Sequence, residues 1–448
     1  MIFGKEGKSV EKNDLTQGSI GGLLLRFALP FLIANLLQSL YGAVDLLVVG
    51  KYCTAASVAA VSTGTQVTQI VTSLITGLTV GSTVLIGSYV GAKDLKTTRE
   101  IMGTSLCAFL SFGLILTVLM LVLAKPILGL LNTPEQSFSL TLSYVSVCAL
   151  GNVFICGYNA ISAVLRGYGD SHRPMLFVGL ACLLNILLDV VFVKYLGMDV
   201  AGTALATVIS QAVSMVTAIA YLRHKEFLFD FKLRSFRPRG WILRRLLAVG
   251  VPVSFQELLI RISFLYIAFA MNSCGLYAAA VVGIGAKYDV FAMLTSNSMA
   301  SALTAITAQN MGAGKPRRAR QALFACMGIS FLVSSCFWLW AQQGTESMIS
   351  VFSQDPDILQ AGIPYFKTAS YDYLATALVF CLNGYLNGRQ KTLWTMLSSS
   401  FSAVALRIPL TYVTVHHFGD SLGAIGTVAP LVTAITAAYT LLYVLKKE

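Results

Sequence analysis

Charge is what this sequence has least of. Only 12% of its 448 residues are Asp, Glu, Lys or Arg, against 56% hydrophobic ones and a mean hydropathy of +0.73. That leaves too little polar surface for a soluble chain of this length, so the composition is that of a polytopic membrane protein. Cysteine is thinly spread: the nine thiols stand singly, with no CxxC pair, which argues against a disulfide framework or a zinc site. Histidine is rarer still, at four residues. No HExxH, GxSxG or His/Asp cluster falls within an apolar run, so a membrane-embedded enzyme is disfavoured. His416 and His417 read as a solvated loop end rather than a metal site. The polar N-terminal stretch MIFGKEGKSVEKNDLTQG leads into an apolar run without a small-residue cleavage site, so no signal peptide is expected.

Apolar sequence is what the chain has in quantity. Runs of roughly 20 residues or more, long enough to cross a ~30 Å hydrocarbon core as helices, recur along its whole length. Twelve are expected: 23–48, 55–90, 97–124, 135–165, 172–197, 199–223, 243–270, 276–311, 316–341, 357–387, 391–416 and 420–446, called spans 1 to 12 below. The basic stretch RHKEFLFDFKLRSFRPRG, Arg223 to Gly240, splits them into two groups of six. The expected organisation is an N-terminal segment 1–22, a first lobe 23–223, a linker 224–242 and a second lobe 243–448.

The net charge of +12 suggests nucleic acid until its distribution is read. With even-numbered connections on the cytoplasmic side, those loops hold 19 Lys and Arg and the termini six more; the odd-numbered loops hold only Lys51, Lys125 and Lys194. That is the positive-inside pattern, with both termini cytoplasmic. The charge orients the chain in a bilayer, and no nucleic-acid partner is expected.

Weak internal echoes share one spacing of about 222 residues. FALP around Pro30 answers VGVP around Pro252, SYVGAKD answers QNMGAGK with Gly91 and Gly312 in register, VLRGYGD answers YLNGRQK, and VAGTALAT answers AIGTVAPL. Six spans separate the copies, so both halves enter the membrane in the same direction. Parallel repeats of this kind occur in secondary transporters, where substrate binds near mid-membrane between the lobes. Gly77 with Gly81 and Gly87 with Gly91 form GxxxG pairs suited to close helix packing. Pro30 and Pro252 bend their spans, either for motion or for static shape.

Five acids lie well inside spans: Asp45, Asp189, Glu257, Asp289 and Asp372. Each costs several kcal/mol if charged in lipid, so each needs a partner or a wet cavity. In LLNILLDVVFV, Asn185 and Asp189 share a helical face one turn apart, as Tyr41 and Asp45 do in span 1, and Thr207 offers a hydroxyl in span 6. This is either an oxygen cage for a small hard cation or a carboxyl pair that takes up a proton. The plainer alternative is that the carboxyls merely bond neighbouring helices. In the second lobe Glu257 with Arg261, and Lys287 with Asp289, are expected to pair internally. Asp372 either faces a cavity or bonds Arg407. Asp372, Glu257 and Gln256 are the candidates for a substrate-facing cavity, and aromatic residues and Met suit flat or greasy ligands.

Together ALPFLIANLLQSLYGAVDLLVVG in span 1, the GAKD and QNMGAGK corners, LRGYGD, NILLD and VAGTALAT resemble the multidrug and toxic compound extrusion (MATE) transporters, especially bacterial DinF-like and MepA-like members, over essentially the whole chain from about residue 15. The resemblance implies an all-α fold of the MOP superfamily, twelve transmembrane helices in two parallel six-helix repeats, and export of organic compounds driven by an inward sodium or proton gradient. It also implies a first-lobe ion site at Asp45, Asn185, Asp189 and Thr207, with Tyr41 and Tyr144 lining the pocket. No cofactor beyond the coupling ion is implied, and a monomer is expected. The sequence departs from sodium-coupled relatives of another branch: Arg261 stands where they carry an acid, and Asp372 sits about a turn from their acidic position, which puts a second-lobe cation site in doubt. The rival function, a lipid-precursor flippase, would call for basic residues in the cavity, whereas five acids face four bases within the spans.

Overall fold

The computed structural model describes residues 14–224, 227–230, 232, 235–272, 274–418 and 421–446. Most of the expected N-terminal segment, and residues 225–226, 231 and 233–234 of the expected linker, lie outside the described residues. Among the described residues every regular element is helical. Nine helices among the described residues are long and apolar enough to cross a membrane, and Glu135–Leu150 with Asn152–Tyr168, bent by 47°, make a tenth, span 4. The other two expected spans are interrupted helices. Span 10 is Pro356–Ala369 followed by Tyr371–Gly388, and span 11 is Thr392–Ser400, a π-helical turn and Ile408–Phe418.

Helix starts follow from capping. Thr54 takes the Ser57 amide at 3.3 Å to open span 2 (Ala55–Gly91), and Asp94 takes the Thr97 amide at 3.0 Å to open span 3 (Leu95–Leu130). Each side chain supplies an acceptor that first-turn amides otherwise lack. The Thr97 hydroxyl and amide hold the Asp94 carboxyl below the usual carboxylate range. Along span 3, Leu114, Ile115, Val118 and Val122 stand open to the surroundings on one helical face, the arrangement of a helix that meets lipid.

Span 5 begins as the α-helix His172–Asp189 and continues as a π-helical turn, Val190–Tyr195; span 11 carries the other, Phe401–Arg407. The two turns occupy corresponding spans of the two halves, and each has a buried charged residue at its border, Asp189 or Arg407. π-turns are rare and concentrate at functional positions.

By packing, the chain divides into two compact units, one holding Leu29–Ser254 and the other Thr16–Ala28 with Phe255–Glu448. The chain therefore changes unit inside span 1 (Ile20–Tyr52), beside Pro30, and inside span 7 (Gly240–Asn272), beside Pro252. Both borders differ from those drawn on composition. Proline removes a ladder hydrogen bond and crowds the preceding turn, which makes it a natural place for a helix to change neighbours.

In the first unit the start of span 7 lies directly on span 2. A Cβ on Gly77 would stand 2.4 Å from Ser254 Cα, and one on Gly81 2.5 Å from the Leu246 carbonyl oxygen, while Ser254 Oγ donates to the Leu74 carbonyl at 2.9 Å. The first GxxxG pair is thus a packing surface. A second lock joins spans 2 and 4, where Thr83 Oγ1 donates to the Ala163 carbonyl at 3.3 Å. The second unit repeats it between spans 8 (Leu276–Gly312) and 10, where Thr304 Oγ1 donates to the Gly384 carbonyl at 3.0 Å, every residue 221 positions beyond its counterpart. Loop conformation recurs as well: Gly169 at φ 96° and Gln390 at φ 62° occupy corresponding places, although LRGYGD and LNGRQK share little chemistry there.

Candidate functional site

Within the first unit, spans 1, 5 and 6 (Asp199–His224) bring the polar residues read from the sequence together. Asp45, Asn185 and Asp189 are only 3%, 2% and 0% exposed. Tyr41 and Asp45 share one face of span 1 because they lie one turn apart; Asn185 and Asp189 do the same on span 5. The Asp45 and Asp189 carboxyls lie within hydrogen-bonding reach of each other, and the Asn185 amide reaches Asp45. Asn185 Nδ2 donates to Thr207 Oγ1 at 3.4 Å, which ties span 5 to span 6. Tyr41 and Tyr144 both lie within electrostatic range of Asp45, and the Tyr144 hydroxyl is hydrogen-bonded to Thr65 at 3.3 Å.

Four buried oxygens here accept no hydrogen bond: Asp45 Oδ1, Asn185 Oδ1 and both oxygens of Asp189. Unpaired buried acceptors are costly. Two carboxyls this close hold either a shared proton or a cation between them. The donor set is oxygen throughout, with a carboxyl pair, an amide and hydroxyls, which suits a proton or a hard cation rather than a soft metal.

Beside this cluster runs a small cleft lined by Gln38, Tyr41, Tyr158, Asn185, Thr207 and Gln211 together with apolar residues such as Val178 and Ala181. Gln38, Tyr158 and Gln211 were not among the sequence candidates. The signal was present in two of them: Gln38 precedes Tyr41 by one turn, and Gln211 follows Thr207 by one.

Tyr144 keeps its place because span 2 carries no side chain at Gly64, where a Cβ would stand 2.3 Å from Tyr144 Cδ1. Gly64→Ala is expected to destabilise the protein by about 1–3 kcal/mol through overcrowding. The same substitution should cost far less in a Tyr144→Ala background, and melting temperatures of the four purified proteins complete the cycle.

The second unit gathers a different set. Asp289 lies within electrostatic range of Asp372 and Arg407 and within hydrogen-bonding reach of Tyr373, with Tyr365 close to both acids. Span 8 is held there by Tyr288, whose hydroxyl donates to the Met348 carbonyl at 2.9 Å and whose ring meets Trp340, Phe352 and Phe366 edge-on. The expected pairing of Asp289 with Lys287 is not seen. Lys287 is exposed, because residues two apart on a helix point to different sides. Nor does Arg407 bond Asp372: its Nη2 donates to Thr433 Oγ1 at 3.1 Å, its guanidinium lies 5.0 Å from the Phe264 ring centre, and Asp372 Oδ1 accepts no hydrogen bond. Glu257 does lie within electrostatic range of Arg261. Gln256 is buried, with its Oε1 unpartnered.

Repeated helical halves, helices long and apolar enough to cross a membrane, and acids buried within them mark a polytopic membrane transporter. Solved structures share this fold. One described as the outward-facing conformation of a multidrug resistance MATE family transporter of the MOP superfamily superposes with a TM-score of 0.89 at 23% identity, covering 96% of each chain. A MOP superfamily transporter from Pyrococcus furiosus, described as having a binding pocket of reverse polarity, does so with the same figures. The family model described as MatE matches residues 30–191 and again residues 252–413, once in each half. The chain belongs to the MatE family, whose members are transporters and not enzymes. Similar proteins include the probable multidrug resistance protein YpnP of Bacillus subtilis (strain 168), 26% identical over 400 residues, 89% of each chain. The multidrug export protein MepA of Staphylococcus haemolyticus (strain JCSC1435) is 23% identical over 407 residues, 90% of this chain and 89% of that one.

Proposed function

We propose that the protein is an antiporter that exports organic compounds, cationic or amphipathic, in exchange for H+ or Na+ taken up at Asp45 and Asp189, by alternating access. The observation that carries this reading is the buried carboxyl pair, three of whose oxygens lack donors, with the unpartnered Asn185 Oδ1 beside them. A purely structural pair of acids would be satisfied by helix neighbours; this one leaves its acceptors for an ion. The names of similar proteins, a multidrug export protein among them, support the class of substrate. Acids outnumber bases within the spans, which favours an organic cation over an anionic lipid precursor. The basic loops support a bacterial inner-membrane location with both termini cytoplasmic, and the presence of two halves in one chain supports a monomer.

The test is efflux of ethidium from proteoliposomes under a proton gradient alone and then a sodium gradient alone. Transport that follows one gradient identifies the coupling ion. Transport indifferent to both overturns the coupled antiporter.

A further inference from the structure

At the start of span 7 stands an aromatic and basic group that the transport reading leaves unused. Arg245 Nη1 donates to the Tyr89 hydroxyl at 3.1 Å, and its guanidinium lies 5.7 Å from the Trp241 ring centre. Tyr89 and Trp241 meet at 6.5 Å with a 59° tilt. Arg244, one turn from Trp241, is exposed and makes no hydrogen bond or ion pair among the described residues. Glu100 is held by Arg239 at 2.7 Å. Among the described residues, two guanidinium groups stand without a carboxylate partner beside an indole that is 43% exposed.

Further along the same helix, Leu247 and Val251 are 40% and 50% exposed. Their spacing from Arg244, three and then four residues, puts all three on one stripe. The stripe thus reads cation, then aliphatic, along a helix whose N-terminus also presents its positive dipole end.

The repeat shows that the fold does not demand this group. Residues that lock the helices recur in both halves, as Thr83 and Thr304 do. At the places corresponding to Trp241, Arg244, Arg245 and Tyr89 the other half has Ser19, Gly22, Leu23 and Asn310. Loop charge that serves only to orient the chain needs no arginine bonded to tyrosine and stacked near tryptophan.

We propose that this end of span 7 binds the phosphodiester headgroup of an anionic phospholipid, with Arg244 and Arg245 on the phosphate, Trp241 and Tyr89 at headgroup depth and an acyl chain along Leu247 and Val251. Arginine forks match phosphate oxygens, tryptophan and tyrosine settle at the membrane interface, and anionic lipids collect basic side chains. The proposal rests on the chain spanning a membrane and not on what it exports, so its failure and that of the antiporter reading are separable.

The experiment uses the full purified chain in phosphatidylcholine, with and without phosphatidylglycerol, and reads bound lipid by native mass spectrometry and thermal protection by melting temperature. The wild type is expected to retain phosphatidylglycerol in preference to phosphatidylcholine. R244Q/R245Q is expected to lose about tenfold of that preference, with its melting temperature in phosphatidylcholine alone unchanged. Should the loss of the Tyr89 bond disturb folding, Arg244→Gln alone, which breaks no hydrogen bond or ion pair among the described residues, is expected to lower the preference by several-fold. Free glycerol phosphate should give no protection, because it lacks the chain that Leu247 and Val251 cover. Equal retention of the two lipids by the wild type, unchanged preference in the variants, or full protection by glycerol phosphate overturns the proposal.

Discussion

Asp189→Asn is expected to abolish gradient-driven export while leaving insertion intact and thermal stability equal to the wild type or higher, and Asp45→Asn is expected to do the same. Asparagine has nearly the shape of aspartate, so packing among spans 1, 5 and 6 is kept. What changes is the chemistry of the facing pair. An amide cannot take up a proton, and it brings no negative charge to a cation. It does bring an N–H donor, and that donor faces acceptors that otherwise have none: Asp45 Oδ1 for the span 5 variant, Asp189 Oδ1 or Oδ2 for the span 1 variant. Satisfying a buried acceptor is worth roughly 1 kcal/mol or more. Loss of function is thus accompanied by no loss of stability. The drive forfeited is large, since each charge moved along the membrane potential contributes about 2.3 kcal/mol per 100 mV. The check is ethidium efflux under the active gradient together with the melting temperature of each variant. Normal efflux by both variants removes the carboxyl pair from the mechanism. Loss of efflux together with a lower melting temperature in both assigns the pair a structural role.

The contacts of this cluster were legible because the sequence displays them twice over. A carboxyl in an apolar run is expensive, so Asp45 and Asp189 stand out, and the one-turn spacing to Tyr41 and Asn185 fixes a shared face before any tertiary structure is known. Asp289 was not legible in the same way. Sequence shows only local neighbours, and Lys287 is the nearest charge along the chain, whereas the groups that Asp289 meets come from spans 10 and 11. Gln38 and Gln211 are ordinary at an interface and become informative only once the cleft they line is seen.

The fold was legible in its helices and its repeat, since hydrophobic length and the echo of glycines and prolines are written along the chain. The breaks were less so. Nothing in VVFVKY or FSAVALR announces a π-helical turn, whose extra residue is absorbed by packing against neighbouring helices. The prolines marked spans 1 and 7 as bent. They did not reveal that the chain changes compact unit beside each of them, because that depends on which helices Thr16–Ala28 and Gly240–Ser254 find as neighbours.

The repeat has an energetic consequence that composition does not show. A Cβ on Gly167 would stand 2.7 Å from the Thr83 carbonyl oxygen, and one on Gly388 would stand 2.7 Å from the Thr304 carbonyl oxygen. In both places the obstacles are a backbone oxygen of a neighbouring helix and the Cβ of a β-branched side chain on it, Ile86 at 2.8 Å from the Gly167 position and Thr307 at 2.6 Å from the Gly388 position, and neither atom can turn aside by a rotamer change. That helix is itself fixed, by Thr83 to the Ala163 carbonyl in one unit and by Thr304 to the Gly384 carbonyl in the other. Gly167→Val and Gly388→Val are each expected to cost about 3 kcal/mol or more, at the upper end for overpacked cores. Gly283→Val, where nothing lies within 4 Å of the added Cβ, should change stability by less than about 0.5 kcal/mol. Melting temperature and yield of the three purified variants provide the check. Equal losses at Gly167 and Gly388 show that the duplicated lock holds both halves alike; a tolerated valine at either would mean that the neighbouring helix there can yield, and that the two halves share a geometry without sharing its rigidity.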